Sequence, residues 1–134
     1  MTFYEREITR IKNDVYANTD QLGRVIQMRH YIEDNYAADL NLDQISEVIF
    51  VSKFHLHRLF RRYYGQTPKQ YLTEKRLAQA KVFLKAGMSI TDTCFAVGFE
   101  CPSSFCTLFK GKTGLTPSSF QKKQYSQSQY SNAV

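Results

Sequence analysis

The stretch Ser52-Lys53-Phe54-His55-Leu56-His57-Arg58-Leu59-Phe60-Arg61-Arg62-Tyr63 has the marks of a short helix. Ser52 suits its N-cap, because a serine hydroxyl accepts from an orphan amide of the first turn. Leu56, Leu59, Phe60 and Tyr63 stand at i, i+3, i+4 and i+7 and form one apolar face. At about 100° per residue, Phe54, His57, Arg58 and Arg61 share the opposite face. That face holds an aromatic ring, an imidazole and two guanidiniums, and no acid. Its chemistry is that of anion binding combined with directional hydrogen bonding.

The charge distribution agrees. Of 18 Lys/Arg and 12 Asp/Glu, residues 1–52 hold five basic and nine acidic, residues 53–85 nine basic and only Glu74, and residues 86–134 four basic and two acidic. A basic block after an acidic one points to a polyanion, nucleic acid first. With 134 residues, 43% of them hydrophobic, the chain can bury a core as one domain or two very small ones. No run approaches the length of a membrane span. The opening Met1-Thr2-Phe3-Tyr4-Glu5 lacks the basic and apolar regions of a leader. Cys94, Cys101 and Cys106 form an odd set without a CxxC, which fits reduced thiols and a cytoplasmic location. His55-x-His57 does not converge on a metal, since alternate helix residues point about 200° apart. No Gly-rich phosphate loop or Ser/His/Asp signature is present, so no catalytic residue, metal or cofactor is expected and an enzyme is disfavoured.

These residues need helices to position them. Phe3, Ile8, Ile11 and Val15 predict a short amphipathic helix over 3–16, docking on its own domain or pairing with a partner. Asn18-Thr19-Asp20 reads as a break, followed by a helix from about Gln21 to Asn35 with Leu22, Val25, Ile26 and Ile32 inward. Asn41 caps a short helix to about Ile49, and Phe50-Val51 turns the chain into Ser52. Short helix, tight turn, second helix is the helix-turn-helix pattern. Gly65 closes the second helix. Thr67-Pro68 opens a long one to about Lys85, which Gly87 stops. The pattern then returns: a short helix over Ile90 to Val97, a turn at Gly98-Phe99, a helix from Pro102 to Lys112, and a last helix opened by Thr116-Pro117.

Leu59-Phe60, Gly65, Thr67-Pro68 and Tyr71 reappear as Leu108-Phe109, Gly114, Thr116-Pro117 and Phe120, all offset by 49 residues. This reads as an internal duplication. The expected fold is all-α: about seven helices plus an extra N-terminal one, in two helix-turn-helix lobes joined by a long central helix. The expected division is an extension over 1–20, lobe one over 21–67, the joining helix over 68–86, lobe two over 87–124, and a disordered tail over 125–134. About 18 residues of helix span roughly 27 Å. With the widths of the lobes, the two exposed helices would stand about 34 Å apart, one turn of duplex DNA.

From about Leu22 to Gln124 the chain resembles the DNA-binding domain of AraC/XylS-type transcription regulators. The motifs are Ile45-Ser46, Ser52-x-x-x-Leu56-x-Arg58-Leu59-Phe60, Gly65-x-Thr67-Pro68-x-x-Tyr71, Arg76-Leu77-x-x-Ala80, Ile90-x-x-x-Cys94, Val97-Gly98-Phe99 and Phe105-x-x-x-Phe109-Lys110-x-x-x-Gly114-x-Thr116-Pro117. The resemblance implies sequence-specific promoter binding and, usually, activation through RNA polymerase. It points to Phe54, His57 and Arg58 as base readers of lobe one, and to Pro102, Ser103, Cys106 and Thr107 for lobe two. Lys53, Arg61, Arg62 and Lys110 suit phosphate contacts. Lys75 and Arg76 are further phosphate candidates, the alternative being solvation or pairing with Glu74. Phe50 stands where the turn usually has glycine, Thr107 where arginine is frequent, and Cys101-Pro102 makes a poorer cap. Lobe one is therefore expected to carry most of the specificity. No small-molecule effector domain is evident, and the competing reading is an AraC-like protein-interaction module without specific DNA binding.

Overall fold

The computed structural model describes residues 2–132, apart from the side chains of 13–19 and 128–132. The described residues form seven helices: α1 (Phe3–Asp34), α2 (Leu42–Ile49), α3 (Lys53–Tyr64), α4 (Pro68–Lys85), α5 (Ile90–Ala96), α6 (Pro102–Thr113) and α7 (Pro117–Asn132). The chain divides into two compact units. The first runs to Asp34 and includes Leu40–Gln70; the second takes Asn35–Asp39 and the chain from Tyr71 onward.

In the first unit the expected break at Asn18-Thr19-Asp20 does not occur, and the extra N-terminal helix is simply the first part of α1. Residues of middling helix propensity cost only about 0.5–0.7 kcal/mol each. Asp20 also pairs with Arg24 one turn on, at 3.0 Å, which supports the helix there. The start of α1 is a capping box: the Glu5 amide donates to Thr2 Oγ1 at 3.2 Å and the Thr2 amide donates to Glu5 Oε2 at 3.3 Å. Val15, part of the expected apolar stripe, has a side chain outside the described set. α1 packs on α2 and α3 through Val25, Met28 and Ile32, with Ile45 and Ile49 of α2 and Leu56, Leu59 and Phe60 of α3 also buried. Leu22, expected inward, is 43% exposed, whereas Met28 is fully buried.

The second unit is built on α4. From Tyr71 this helix is no free spacer: Leu77, Ala80 and Leu84 form one core with Cys94, Val97, Phe105 and Phe109. Phe105, Phe109 and Phe120 stack edge-on in series, with centroids 5.7 and 5.5 Å apart. The Gln121 amide donates to the carbonyls of Leu84 and Met88 at 3.1 and 2.8 Å, satisfying the end of α4. Residues 125–132, expected as a disordered tail, continue α7. No glycine or proline follows Pro117 to stop it.

The duplication is visible in the backbone. α3 and α6 are both 12 residues long. Gly65 and Gly114 end them with φ 71° and 82°, their amides donating to Arg61 and Lys110 carbonyls at 2.9 and 2.8 Å. Thr67 and Thr116 then cap α4 and α7 through the amides of Gln70 and Ser119. The two turns before the exposed helices differ. In the first unit the left-handed residue is Phe50, with φ 61°, whereas in the second it is Gly98, with φ 100°.

Candidate nucleic-acid interface

α3 is oriented by its buried face. Ser52 caps it, accepting from the His55 amide at 3.3 Å. With Leu56, Leu59 and Phe60 fixed in the core, the other face turns out: Phe54 is 71% exposed, Arg58, Arg61 and Arg62 are exposed, and His57 is half-buried. Among the described residues no carboxylate or other side chain engages the guanidiniums of these three arginines. Each keeps its donors for an incoming group.

Lys53 is more constrained than expected of a phosphate clamp. Its Nζ lies 3.3 Å from Asp43 of α2 and 5.4 Å from the centre of the Phe54 ring. The charge is thus partly answered, and Phe54 is held beside it. Tyr64 is taken up in packing, 4.7 Å from the Phe60 ring and under the Arg29 guanidinium at 5.7 Å, while Tyr63, expected on the apolar face, is exposed.

One positioning residue escapes a reading of the sequence. Arg24 of α1 donates from Nη1 to the carbonyls of Ile49 and Phe50, at 3.1 and 3.3 Å, while its Nε pairs with Asp20. A cation here satisfies orphan carbonyls at the end of α2 and opposes the helix dipole. It braces the turn that launches α3. The contact spans 25 residues of chain, and no local spacing announces it.

In the second unit α6 presents a weaker surface. Its cap, Cys101, makes no side-chain bond to the helix amides. The Cys101 Sγ instead lies 3.5 Å from Ser103 Oγ and 3.1 Å from Ser104 Oγ. These hydroxyls, Ser103 foremost, pull the thiol down to about 7. Ser103 and Thr107 are exposed, and Pro102 and Cys106 are half-buried. A shallow concavity along α6 is lined by Ser103, Ser104, Thr107, Leu108, Gly111 and Lys112. The helix carries only Lys110 and Lys112 as cations. Cys94 is buried, and that burial raises its thiol pKa, so it belongs to the core.

Arg76 is a correction. Expected at phosphates, it donates from Nε to the Tyr36 carbonyl at 2.7 Å and from Nη2 to the Ala38 carbonyl at 2.8 Å. It also stacks 5.7 Å from the Phe99 ring. Burial lowers its pKa, with the Asp39 charge opposing. Motif spacing placed it on a basic helix, but its Nε and Nη2 are committed to backbone carbonyls. Lys75, beside it, is half-buried.

Each unit thus ends a helix-turn-helix in a 12-residue helix with an outward face, which defines a tandem helix-turn-helix protein. A family model described as a helix-turn-helix domain matches residues 45–123. The chain belongs to the AraC-type helix-turn-helix transcription regulators. It is 34% identical over 93 residues to the bifunctional transcriptional activator/DNA repair enzyme AdaA of Bacillus subtilis, a match covering 69% of this chain and 44% of that protein. It is 33% identical over 103 residues to the transcriptional activator RhaS of Mannheimia succiniciproducens, covering 76% of this chain and 38% of RhaS. The chain therefore spans less than half the length of these two relatives. Among solved structures, the C-terminal domain of AraT, a response regulator from Geobacillus stearothermophilus, superposes with a TM-score of 0.72 at 26% identity, covering 75% of this chain and 84% of that one. No described helix is long and apolar enough to cross a membrane.

Proposed function

We propose that this chain regulates transcription by sequence-specific binding to duplex DNA, with α3 and α6 entering successive major grooves. The observation that carries this reading is the outer face of α3, where Phe54, Arg58, Arg61 and Arg62 are exposed together with no acid among them. Arg58 donates two hydrogen bonds to a guanine edge, a contact worth about 1–3 kcal/mol in discrimination. Phe54 meets a thymine methyl, and His57 donates or accepts according to tautomer. Arg61 and Arg62 hold phosphates, with Lys53, Lys75 and Lys110 adding charge. Pro102, Ser103, Cys106 and Thr107 give α6 a reading by shape and hydroxyl contacts. The output is activation through RNA polymerase in the cytoplasm, and the role is binding rather than catalysis. The names of AdaA and RhaS, both activators, support that direction.

One observation favours a second reading. α6 has no arginine and a serine-rich, poorly capped start, which suits a protein-interaction module. A titration at two salt concentrations separates the two. Duplexes selected from a random pool are compared with scrambled ones. Specific binding keeps its preference while absolute affinity falls with salt. Equal binding to both duplexes at either salt overturns the proposal and leaves the interaction module.

A further inference from the structure

α1 is 32 residues long, about 48 Å at 1.5 Å per residue. Its buried residues, among those described, are Val25, Met28 and Ile32, all in the last third. The preceding two thirds begin with the Thr2–Glu5 capping box, so this stretch has its own coded helix start. Yet it leaves apolar side chains in water: Tyr4 is 72% exposed, Ile11 55% and Leu22 43%, with Ile8 half-buried. An isolated helix with such a stripe is marginal in water.

The stripe has a register. Ile8, Val15 and Leu22 fall at position a of a heptad, and Tyr4, Ile11 and Asn18 at position d. From Val25 the stripe drifts onto the face that packs on α2 and α3, as a 3.6-residue helix drifts against a seven-residue repeat. The flanking charges then select the occupant. Glu7 and Asp14 stand at g, and Glu5 and Lys12 at e. In a parallel pair, g of one helix lies beside e of the next heptad in the other. Two-fold symmetry therefore sets Glu7 against the partner's Lys12 twice. An antiparallel pair would set the acidic g positions against each other.

We propose that residues 4–22 of α1 form a parallel two-stranded coiled coil with a second copy of this chain. Glu7 already reaches sideways, 3.0 Å from Arg10 on its own helix, and exchanges that exposed contact for the one across the interface. Under three heptads make a short coil, so the dimer is weak and concentration-dependent.

Sedimentation equilibrium of the whole chain tests this, with circular dichroism confirming equal helicity of each variant. The wild type is expected to rise from one to two chain masses with concentration. Ile8→Asp with Ile11→Asp is expected to weaken association at least about tenfold, which is 1.4 kcal/mol. Glu7→Lys alone weakens it by like charge, and Glu7→Lys with Lys12→Glu restores it. A wild type monomeric at every concentration overturns the proposal. So does association that survives the double aspartate, or a double charge swap that fails to rescue. DNA affinity is not read in this experiment, so its outcome stands apart from the function proposed above.

Discussion

The Arg76 guanidinium donates to the Tyr36 carbonyl at 2.7 Å, tying the segment after α1 to α4. A second bond, to the Ala38 carbonyl, completes the grip. Arg76→Ala is expected to lower stability by about 2 kcal/mol, because two charge-assisted bonds are lost, one part-buried and one exposed. Arg76→Lys should recover little, since an ammonium cannot reproduce the fork. A phosphate clamp would behave differently: the slope of affinity against salt would fall by about 0.9 with the melting temperature unchanged. Denaturant melts and a salt titration of the same variant distinguish the two.

Arg58→Ala should cost about 1–3 kcal/mol on a selected duplex and relax preference at one base pair. Thr107→Ala should cost less and leave preference nearly intact. Arg61→Ala should weaken all duplexes alike and shallow the salt dependence. Binding of each variant to a set of single-base-changed duplexes gives the comparison. Equal loss of preference in the Arg58 and Thr107 variants would remove the asymmetry between the units.

Phe50 and Gly98 should respond in opposite directions. Phe50 is 89% exposed with φ 61°, a left-handed conformation costly for a residue with a Cβ. Phe50→Gly gives up almost no burial, and is expected to stabilise by about 0.5–1 kcal/mol after the entropy of glycine is counted. Gly98 has φ 100°, and a Cβ there would sit 2.9 Å from the Ala37 carbonyl oxygen. Gly98→Ala should therefore destabilise by more than about 1 kcal/mol. Thermal melts of both variants check the signs.

Cys101 should be the reactive thiol. Ser103, then Ser104, bring it down to about 7, so alkylation by iodoacetamide should rise through neutral pH and level off above it. Ser103→Ala should move that midpoint upward. Cys94, raised by burial, should stay unreacted in the folded chain. Because the thiol is more acidic when folded, its contribution to stability is present above the ordinary thiol range and lost as pH falls through about 7. Peptide mapping after timed alkylation reads each site separately.

Much of this was legible in the chain itself. Caps and glycines are local devices, so Ser52, Asn41, Ser89, Gly65 and Gly114 marked helix ends correctly. The apolar spacing of α3 fixed which face is buried and therefore where Phe54 and Arg58 point. The long-range bonds were not legible. Arg24 and Arg76 look like any basic residue on a helix, and only the fold reveals the carbonyls they meet 25 and 40 residues away. The merging of two expected helices into α1 was missed because Asn, Thr and Asp serve equally as caps and as tolerable interior residues.

The grip of Arg76 on residues 36 and 38 has a further consequence for how this protein can be dissected. The second unit is not one continuous piece of sequence, since it borrows five residues from the far side of α2 and α3. A fragment cut at Tyr71 would inherit a guanidinium with nothing to hold and a Gly98 facing empty space. The two halves of this duplicated chain resemble each other, yet they were never left as interchangeable parts. Any transplant of the later half must carry the short turn segment Asn35–Asp39 with it.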